Sequence, residues 1–201
     1  MISAVKADSF LEHPGCHLVT SVRKAVMHDI PAILGLINGY AARGIMLPRT
    51  EFEMSEAIRD FTVVLSGDEL LGCGALHFYS PSVGEIRSLA VAELAKTHGA
   101  GRRLVEALVE EANTYELDAV FAFTYVVGFF NKVGFEVVER GVLPLKAWKD
   151  CLRCPKFHEC DEIAVLRILR PGRWSVCSIN AQPGPWPTEA DSYIQLPTPV
   201  R

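Results

Sequence analysis

Residues 88–108 read SLAVAELAKTHGAGRRLVEAL, and this stretch decides the fold. It begins with the alternation of a β-strand, ends with the hydrophobic spacing of an amphipathic helix, and has Gly99 and Gly101 between them. A glycine loop at a helix N-terminus leaves backbone N–H groups available, and the helix dipole adds partial positive charge. The stretch therefore predicts a strand–loop–helix unit that receives a phosphate or pyrophosphate, with Arg102 and Arg103 adding positive charge.

Two common phosphate motifs do not fit this loop. The Walker pattern G-x-x-x-x-G-K-[ST] does not occur. The dinucleotide pattern G-x-G-x-x-G does not match residues 99–104, because Leu104 stands at the position of its last glycine. The pattern that fits is [QR]-x-x-G-x-[GA], which resembles the acetyl-CoA pyrophosphate loop of the GNAT superfamily of acyltransferases. Lys96 occupies its first position, where it keeps the positive charge but lacks the planar guanidinium.

A second motif lies downstream at residues 129–135, which read FFNKVGF. It resembles the GNAT ending Y-x-K-x-G-F, which in that family contacts the pantetheine arm and whose tyrosine often protonates the departing thiolate. Phe130 stands at the tyrosine position, and a phenyl ring cannot donate a proton. The proton then comes from water, from the substrate ammonium or from another residue such as Tyr125. The three phenylalanines of this motif are interpreted as core residues.

Composition excludes several classes of protein. The chain has 201 residues, 49% of them hydrophobic and 22% charged, with a net charge of −4, as in an ordinary globular enzyme. No basic tract favours nucleic-acid binding, no apolar run approaches the length of a membrane span, and the N-terminus does not resemble a secretory signal. The six cysteines are therefore expected to be reduced in a cytoplasmic protein.

The sequence predicts one α/β domain, with a mixed central sheet and flanking helices, over residues 19–170. A leader (1–18) precedes it and a proline-rich tail (171–201) follows it, where Trp174 and Trp186 favour partial docking. Asp29 is expected to cap the first helix, with Pro31 in its first turn and Gly44 closing it. The expected strands are 19–25, 61–65, 70–78, 83–91, 119–124, 135–138 and 163–168, and the further helices are 55–59, 101–115 and 128–133.

Within the GNAT superfamily, the chain resembles the acetyltransferase domain of N-acetylglutamate synthases over roughly residues 20–170. That resemblance implies the GNAT fold, acetyl-CoA as cosubstrate and L-glutamate as acceptor, in the first step of arginine synthesis. A chain of this length does not hold the amino-acid-kinase domain of the long synthases, so arginine feedback through that domain is not implied. The segments that carry the resemblance are Arg23-Lys24-Ala25, Asp29-Ile30, Leu36-Ile37, Tyr40-Ala41, Gly44, Leu47-Pro48-Arg49, Glu85–Val91, Leu143–Phe157 and Cys160–Ala164.

The resemblance also implies which residues contact acetyl-CoA. The backbone of Leu89–Val91 is expected to align the pantetheine arm and to polarise the thioester carbonyl. The glycine loop is expected to hold the pyrophosphate. The complete set of expected cofactor-binding residues is Leu89, Ala90, Val91, Lys96, Thr97, His98, Gly99, Ala100, Gly101, Arg102 and Asn131.

A glutamate acceptor brings two carboxylates, which need cationic partners. Arg49 is the first candidate because a guanidinium binds a carboxylate through two hydrogen bonds, and Arg87 and Lys146 are the next. Period-two alternation predicts that Arg87 shares a strand face with Glu85, Leu89 and Val91. Glu85 is the candidate general base, acting through water. The alternatives are an ion pair between Glu85 and an arginine, or His77 or His98 as the base.

Several alternatives remain open. The acceptor could instead be glutamine or another small amine, although a polyamine would call for acidic residues in the cleft, and a non-catalytic acyl-CoA sensor is a further alternative. The oligomeric state is undecided, with a homodimer as one option. No metal is expected, although Cys151, Cys154, His158 and Cys160 are spaced as four zinc ligands within ten residues. Free thiols or a disulfide formed on oxidation explain that cluster better, because His158 and Cys160 are too close for a tetrahedral half-site.

Overall fold

The structure, a computed structural model, describes residues 20–143, 154, 156 and 159–174. In this part of the chain the helices are α1 (Ile30–Ala41), α2 (Glu51–Ala57), α3 (Ala100–Thr114) and α4 (Val127–Lys132). The strands are β1 (Thr20–Lys24), β2 (Phe61–Ser66), β3 (Glu69–Phe78), β4 (Val83–Val91), β5 (Ala119–Thr124), β6 (Glu136–Val137) and β7 (Ile163–Ile168). No helix among these is long and apolar enough to cross a membrane.

The strands form a single mixed sheet in the order β1-β2-β3-β4-β5-β7-β6. Strands β4 and β5 are parallel, and the other neighbours are antiparallel. Strands β4 and β5 are joined through helix α3, because a parallel pair needs a crossover connection. The expected α/β fold with a mixed sheet and flanking helices is confirmed.

Both faces of the sheet are covered by helices. On one face, α1 and α2 pack on β2 and β3 through side chains such as Ile33, Ile37, Met54 and Val63. On the other, Val105 and Leu108 of α3 and Phe130 of α4 pack on β3, β4 and β5. Each of these side chains is almost fully buried, which follows from the i, i+3, i+4 spacing of apolar residues in α1 and α3. The two faces are referred to below as the α1 face and the α3 face.

The strands agree closely with the sequence prediction, whereas the start of one helix differs by several residues. Helix α2 begins at Glu51, four residues before the predicted 55–59 segment, and the chain continues to Asp60 as a 3-10 turn. The reason is a capping box at Thr50: its hydroxyl accepts a hydrogen bond from the Glu53 N–H at 3.3 Å, and the Glu53 carboxylate accepts one from the Thr50 N–H at 2.9 Å.

The expected capping role of Asp29 is wrong in its detail. Asp29 does precede α1, but its side chain makes no capping bond to that helix. Its carboxylate instead accepts hydrogen bonds from the Val26 N–H at 2.8 Å and from the Arg23 guanidinium at 2.7 and 2.9 Å. The Arg23 bond is the largest cause of a lowered pKa of Asp29. Asp29 therefore fastens the end of β1 to the start of α1.

The predicted tail begins with an ordered contact. Trp174 is half-buried against the cluster formed by residues such as Val83, Phe121 and Leu166, in line with the expected docking. Arg173 adds an ion pair of 3.0 Å to Asp118. Residues 1–19, Trp186 and the remainder of the tail lie outside the described residues, so the predicted leader and tail boundaries stay predictions.

Asp29→Asn should destabilise the fold by about 1 kcal/mol at pH 7, because it removes a charged hydrogen bond whose arginine partner is 42% exposed. A carboxylate with a lowered folded pKa stabilises the protein above its unfolded pKa of about 4, and that contribution is lost as pH falls through the folded value. The difference between variant and wild type should therefore shrink as pH falls below about 4.

Urea unfolding of both proteins at neutral and acid pH measures this difference. Asp68→Asn, in the exposed turn between β2 and β3, is the matched control and should leave the unfolding free energy unchanged at both pH values. A difference between Asp29→Asn and wild type that is the same at both pH values would contradict the assignment.

Candidate active site

The sheet opens between β4 and β5. These strands pair only through Val83–Ala119, Gly84–Val120 and Glu85–Phe121, although β4 continues to Val91 and β5 to Thr124. Beyond Glu85 the main-chain groups of β4 that face β5 are not used by this pairing. A strand edge of this kind offers N–H and C=O groups to an extended ligand, as in β-strand addition. The opening is therefore a candidate cleft.

A β-bulge lies in β4 at the mouth of this cleft. The register against β3 changes between Cys73–Ala90 and Ala75–Arg87, and Ser88 takes the left-handed conformation with φ of 53°. An extra residue in one strand reverses the side-chain alternation beyond it. Leu89 consequently packs on the α3 face, as does Val91, whereas Glu85 and Arg87 are on the α1 face. The prediction that all four side chains share one face is wrong for this reason.

The predicted glycine loop has the expected geometry. Glu93–His98 form a 3-10 turn, Gly99 is left-handed with φ of 77°, and α3 starts at Ala100. An L side chain at Gly99 would be strained in that conformation. The N–H groups in the first turn of α3 have no acceptor inside the helix, so they are available to an anion at this end.

The arginine side chains at this helix end are directed elsewhere. Arg102 forms an ion pair of 2.7 Å with Glu106, one turn further along α3. Arg103 donates to the backbone and the hydroxyl of Thr20 at the start of β1. The sequence analysis expected both guanidinium groups to add positive charge to the loop, but in this arrangement they bind other groups. The backbone N–H groups and the helix dipole therefore remain to attract an anion at this end of α3.

Lys96 is tied to α1. Its ammonium lies 2.9 Å from the Glu93 carboxylate and 5.3 Å from the centre of the Tyr40 ring. The hydrogen bond to Glu93 is the largest cause of a raised pKa of Lys96. The Tyr40 hydroxyl in turn donates to the Val91 carbonyl at 2.5 Å. Tyr40 thus connects helix α1 both to the last residue of β4 and to the loop that follows it.

Helices α3 and α4 approach each other at Gly101. A Cβ atom at this position would lie 3.3 Å from the Phe129 ring, closer than an ordinary contact. The second glycine of the loop is therefore required by packing as well as by access for a ligand. Two residues further along α4, Asn131 is exposed near this junction, whereas Phe130 is 3% exposed and packs edge-on against Phe129 and Phe135. The interpretation of Phe130 as a core residue is confirmed.

The α1 face of β4 carries two of the predicted site residues. Glu85 is 1% exposed and lies between His77 on β3 and Phe121 on β5, its register partners. Arg87, opposite Ala75, is half-buried on the same face. A buried carboxylate and a neighbouring guanidinium thus line the sheet at the point where β4 and β5 separate.

Arg49 lies in the connection between α1 and α2, over the same face. The Asn38 side chain on α1 accepts a hydrogen bond from the Arg49 N–H at 2.9 Å and donates one to the Arg49 carbonyl at 3.0 Å. The next residue, Thr50, caps α2. The backbone of Arg49 is therefore held from both sides. Nothing in the sequence analysis singled out Asn38, because its role depends on a tertiary contact.

Tyr125 follows the end of β5. Its hydroxyl donates to Asp161 at 2.8 Å and lies 3.2 Å from the Lys156 ammonium. Loss of hydration is the largest cause of a raised pKa of Tyr125, and Asp161 also raises it. The proton of this phenol is therefore committed to a carboxylate.

The structure describes only part of the predicted cysteine cluster, and the third candidate cation, Lys146, lies outside the described residues. Cys151 and His158 also lie outside them, whereas Cys154 and Cys160 are free thiols. In the described ranges no three histidine, cysteine or acidic side chains are grouped as metal ligands. Burial raises the pKa of Cys73 on β3 to about 12, so this thiol is not nucleophilic at neutral pH.

Comparison with known proteins identifies the family of this chain. Residues 39–135 match the acetyltransferase (GNAT) family. The chain is 41% identical over 150 residues to an uncharacterized N-acetyltransferase of Chlorobaculum tepidum, covering 75% of this chain and 97% of that protein. It is 36% identical over 121 residues to an amino-acid acetyltransferase of Mycobacterium tuberculosis, covering 59% of this chain and 69% of the relative.

A solved structure is similar to this chain in fold and in sequence. The N-acetylglutamate synthase of Neisseria gonorrhoeae, complexed with coenzyme A and N-acetyl-glutamate, matches with a TM-score of 0.68 and 29% identity. The match covers 75% of this chain and 35% of that one, so this chain corresponds to about a third of the synthase. The sequence match, the opened sheet and the glycine loop lead to one conclusion: the chain belongs to the GNAT family of N-acetyltransferases.

Proposed function

We propose that this N-acetyltransferase transfers the acetyl group of acetyl-CoA to the α-amino group of L-glutamate, the first step of arginine synthesis. The observation that carries the proposal is Arg49, whose backbone is fixed by Asn38 over the sheet face that bears Glu85 and Arg87. Similarity to amino-acid acetyltransferases and to an N-acetylglutamate synthase supports the same acceptor.

The donor half of the site is built from backbone. Acetyl-CoA is the acyl donor, and the part of β4 from Leu89 to Val91, which does not pair with β5, suits its amide-containing pantetheine arm. The pyrophosphate fits the first turn of α3, where Gly99, Ala100 and Gly101 present N–H groups, with Lys96, Thr97, His98 and the backbone of Arg102 around it. Asn131, exposed on α4, is the remaining candidate contact. Backbone N–H groups of β4 then stabilise the negative charge that develops on the thioester oxygen.

The acceptor half is cationic. Two guanidinium groups, from Arg49 and Arg87, match the two carboxylates of glutamate, and Lys146 is a third candidate. A polyamine would require carboxylates in these positions. A glutamine acceptor would leave one cation facing a neutral amide, which a site of this charge disfavours. These are the grounds for choosing a dicarboxylic acceptor.

The reaction needs a neutral amine. Glu85 takes a proton from the substrate ammonium, through water, and the amine then attacks the thioester carbon. A nitrogen–carbon bond forms, the carbon–sulfur bond breaks, and CoA leaves as a thiolate. Holding both substrates on one strand contributes to the rate enhancement through proximity and orientation.

The thiolate needs no dedicated acid. Phe130 is buried and cannot supply a proton, and the Tyr125 hydroxyl is bonded to Asp161. A thiol with a pKa near 8.5 is a good leaving group at neutral pH, so water or the released ammonium proton suffices.

A panel of amino acids assayed for CoA release from acetyl-CoA tests the proposal. Glutamate should give the highest kcat/KM, with glutamine and aspartate clearly lower. A preference for glutamine or for another amine would replace the acceptor. Binding of acetyl-CoA without turnover of any amine would favour the non-catalytic sensor.

Arg49→Lys should raise the KM for the acceptor roughly 10- to 150-fold, because loss of a charged hydrogen bond costs about 1.5–3 kcal/mol. The KM for acetyl-CoA should not change. Steady-state kinetics with each substrate varied in turn separate the two constants. Arg59→Lys, an exposed arginine after α2, is the control, and an equal rise of both constants in Arg49→Lys would indicate a global role instead.

Gly101→Glu should weaken acetyl-CoA binding about tenfold or more, because it puts a carboxylate where the N-terminus of α3 would receive phosphate. Gly101→Ala is the matched control, since its Cβ meets the Phe129 ring without adding charge. Calorimetric titration measures both. Unchanged affinity in Gly101→Glu would exclude this loop from the cofactor site, and equal losses in both variants would assign the effect to packing.

Tyr125→Phe should lower kcat by less than about threefold, since loss of a true general acid costs on the order of 100-fold or more. Turnover at saturating substrates is the measurement, with acetyl-CoA affinity as a check on folding. A 100-fold loss with intact affinity would make Tyr125 the acid. Phe130→Tyr should not accelerate turnover either, because that ring is enclosed in the core.

A further inference from the structure

His77 occupies the place next to Glu85 on the sheet. The two residues are register partners on adjacent antiparallel strands, β3 and β4. Directly opposed residues point to the same face, with Cβ atoms about 4.5–5.5 Å apart. The imidazole of His77 therefore borders the carboxyl group to which the proposed mechanism assigns the amine proton.

The orientation of this imidazole is set by Asp60. Nδ1 of His77 lies 3.1 Å from Oδ2 of Asp60, at the end of the turn that leads into β2. An ionised carboxylate only accepts hydrogen bonds, so Nδ1 carries the proton and Nε2 is left as the basic atom. Tyr79 packs edge-on against the ring, with 5.3 Å between centres. In the described part of the chain, the titratable and charged groups around His77 on the α1 face include Asp60, Tyr79 and Glu85, and Arg87 follows Glu85 on the same face of β4.

Solvent exposure increases from Glu85 through His77 to Asp60. Glu85 is 1% exposed, whereas the side chains of His77 and Asp60 are 25% and 33% exposed. A proton on the buried carboxyl group has no direct contact with bulk water. The histidine beside it does reach solvent, and an imidazole nitrogen can accept a proton and release it to water.

We propose that the Asp60–His77 pair is the proton exit of the active site. The substrate ammonium loses a proton to the Glu85 carboxylate, the resulting acid passes it to Nε2 of His77, and Asp60 stabilises the imidazolium. The imidazolium then releases the proton to water, which restores all three groups for the next turnover. The inference rests on the proposed role of Glu85, and His77 acts through that residue rather than on the substrate.

His77→Gln tests the relay in turnover assays, with the acceptor that the amino-acid panel identifies. We expect kcat to fall about tenfold or more, the KM for acetyl-CoA to stay constant, and added imidazole to restore part of the lost rate. Asp60→Asn should move the acid limb of the pH–kcat profile to lower pH, because an amide does not stabilise the imidazolium. His28→Gln, an exposed histidine before α1, is the control and should behave as wild type.

NMR of the histidine ring nitrogens tests the relay independently of any acceptor. In wild type, Nδ1 of His77 should carry the proton, and Glu85→Gln should change the Nε2 chemical shift, because the relay requires that atom to face the carboxyl group. An Nε2 chemical shift that is identical in wild type and Glu85→Gln would overturn the inference. So would wild-type kcat in His77→Gln, or a loss that imidazole does not rescue. Failure of every acceptor in the panel, by contrast, contradicts the proposed function alone.

Discussion

The short parallel pairing between β4 and β5 is the constraint on which the remaining structure depends. Three residue pairs hold the two halves of the sheet together, and the strands then separate around the space that both substrates are proposed to share. In the proposed mechanism β4 supplies the backbone on the donor side and Glu85 and Arg87 on the acceptor side, so that one strand would serve both halves of the reaction. The α3 crossover, which parallel pairing requires, brings a helix N-terminus to the same end of the sheet.

The bulge at Ser88 explains how one strand serves two purposes. Before the bulge, alternate residues of β4 face the α1 side, where Glu85 lies. After the bulge, Leu89 and Val91 face α3 and pack against Ala95 and Ala100, which flank the glycine loop. Without the extra residue, these two apolar side chains would point to the proposed acceptor side.

Sequence periodicity was sufficient for the elements that are buried on both faces. The bounds of β4, β5 and β7 agree with the prediction because apolar runs of this length, bounded by turns, have few alternatives. The start of α2 was missed although its signal, Thr50 followed by Glu53, is present in the chain. The bulge, the Asn38–Arg49 contact and the ion pairs of Arg102 and Arg103 could not be predicted, because each depends on a neighbour that only the folded chain brings close.

Helix α1 makes two contacts with the candidate site from within a single turn. Asn38 holds the segment that presents Arg49, and Tyr40, two residues later, holds the carbonyl of Val91 at the donor end of β4. A tilt of α1 would therefore displace Arg49 and the carbonyl of Val91 together. If the two substrates bind as proposed and either one tilts this helix, each would change the affinity for its co-reactant by the same factor.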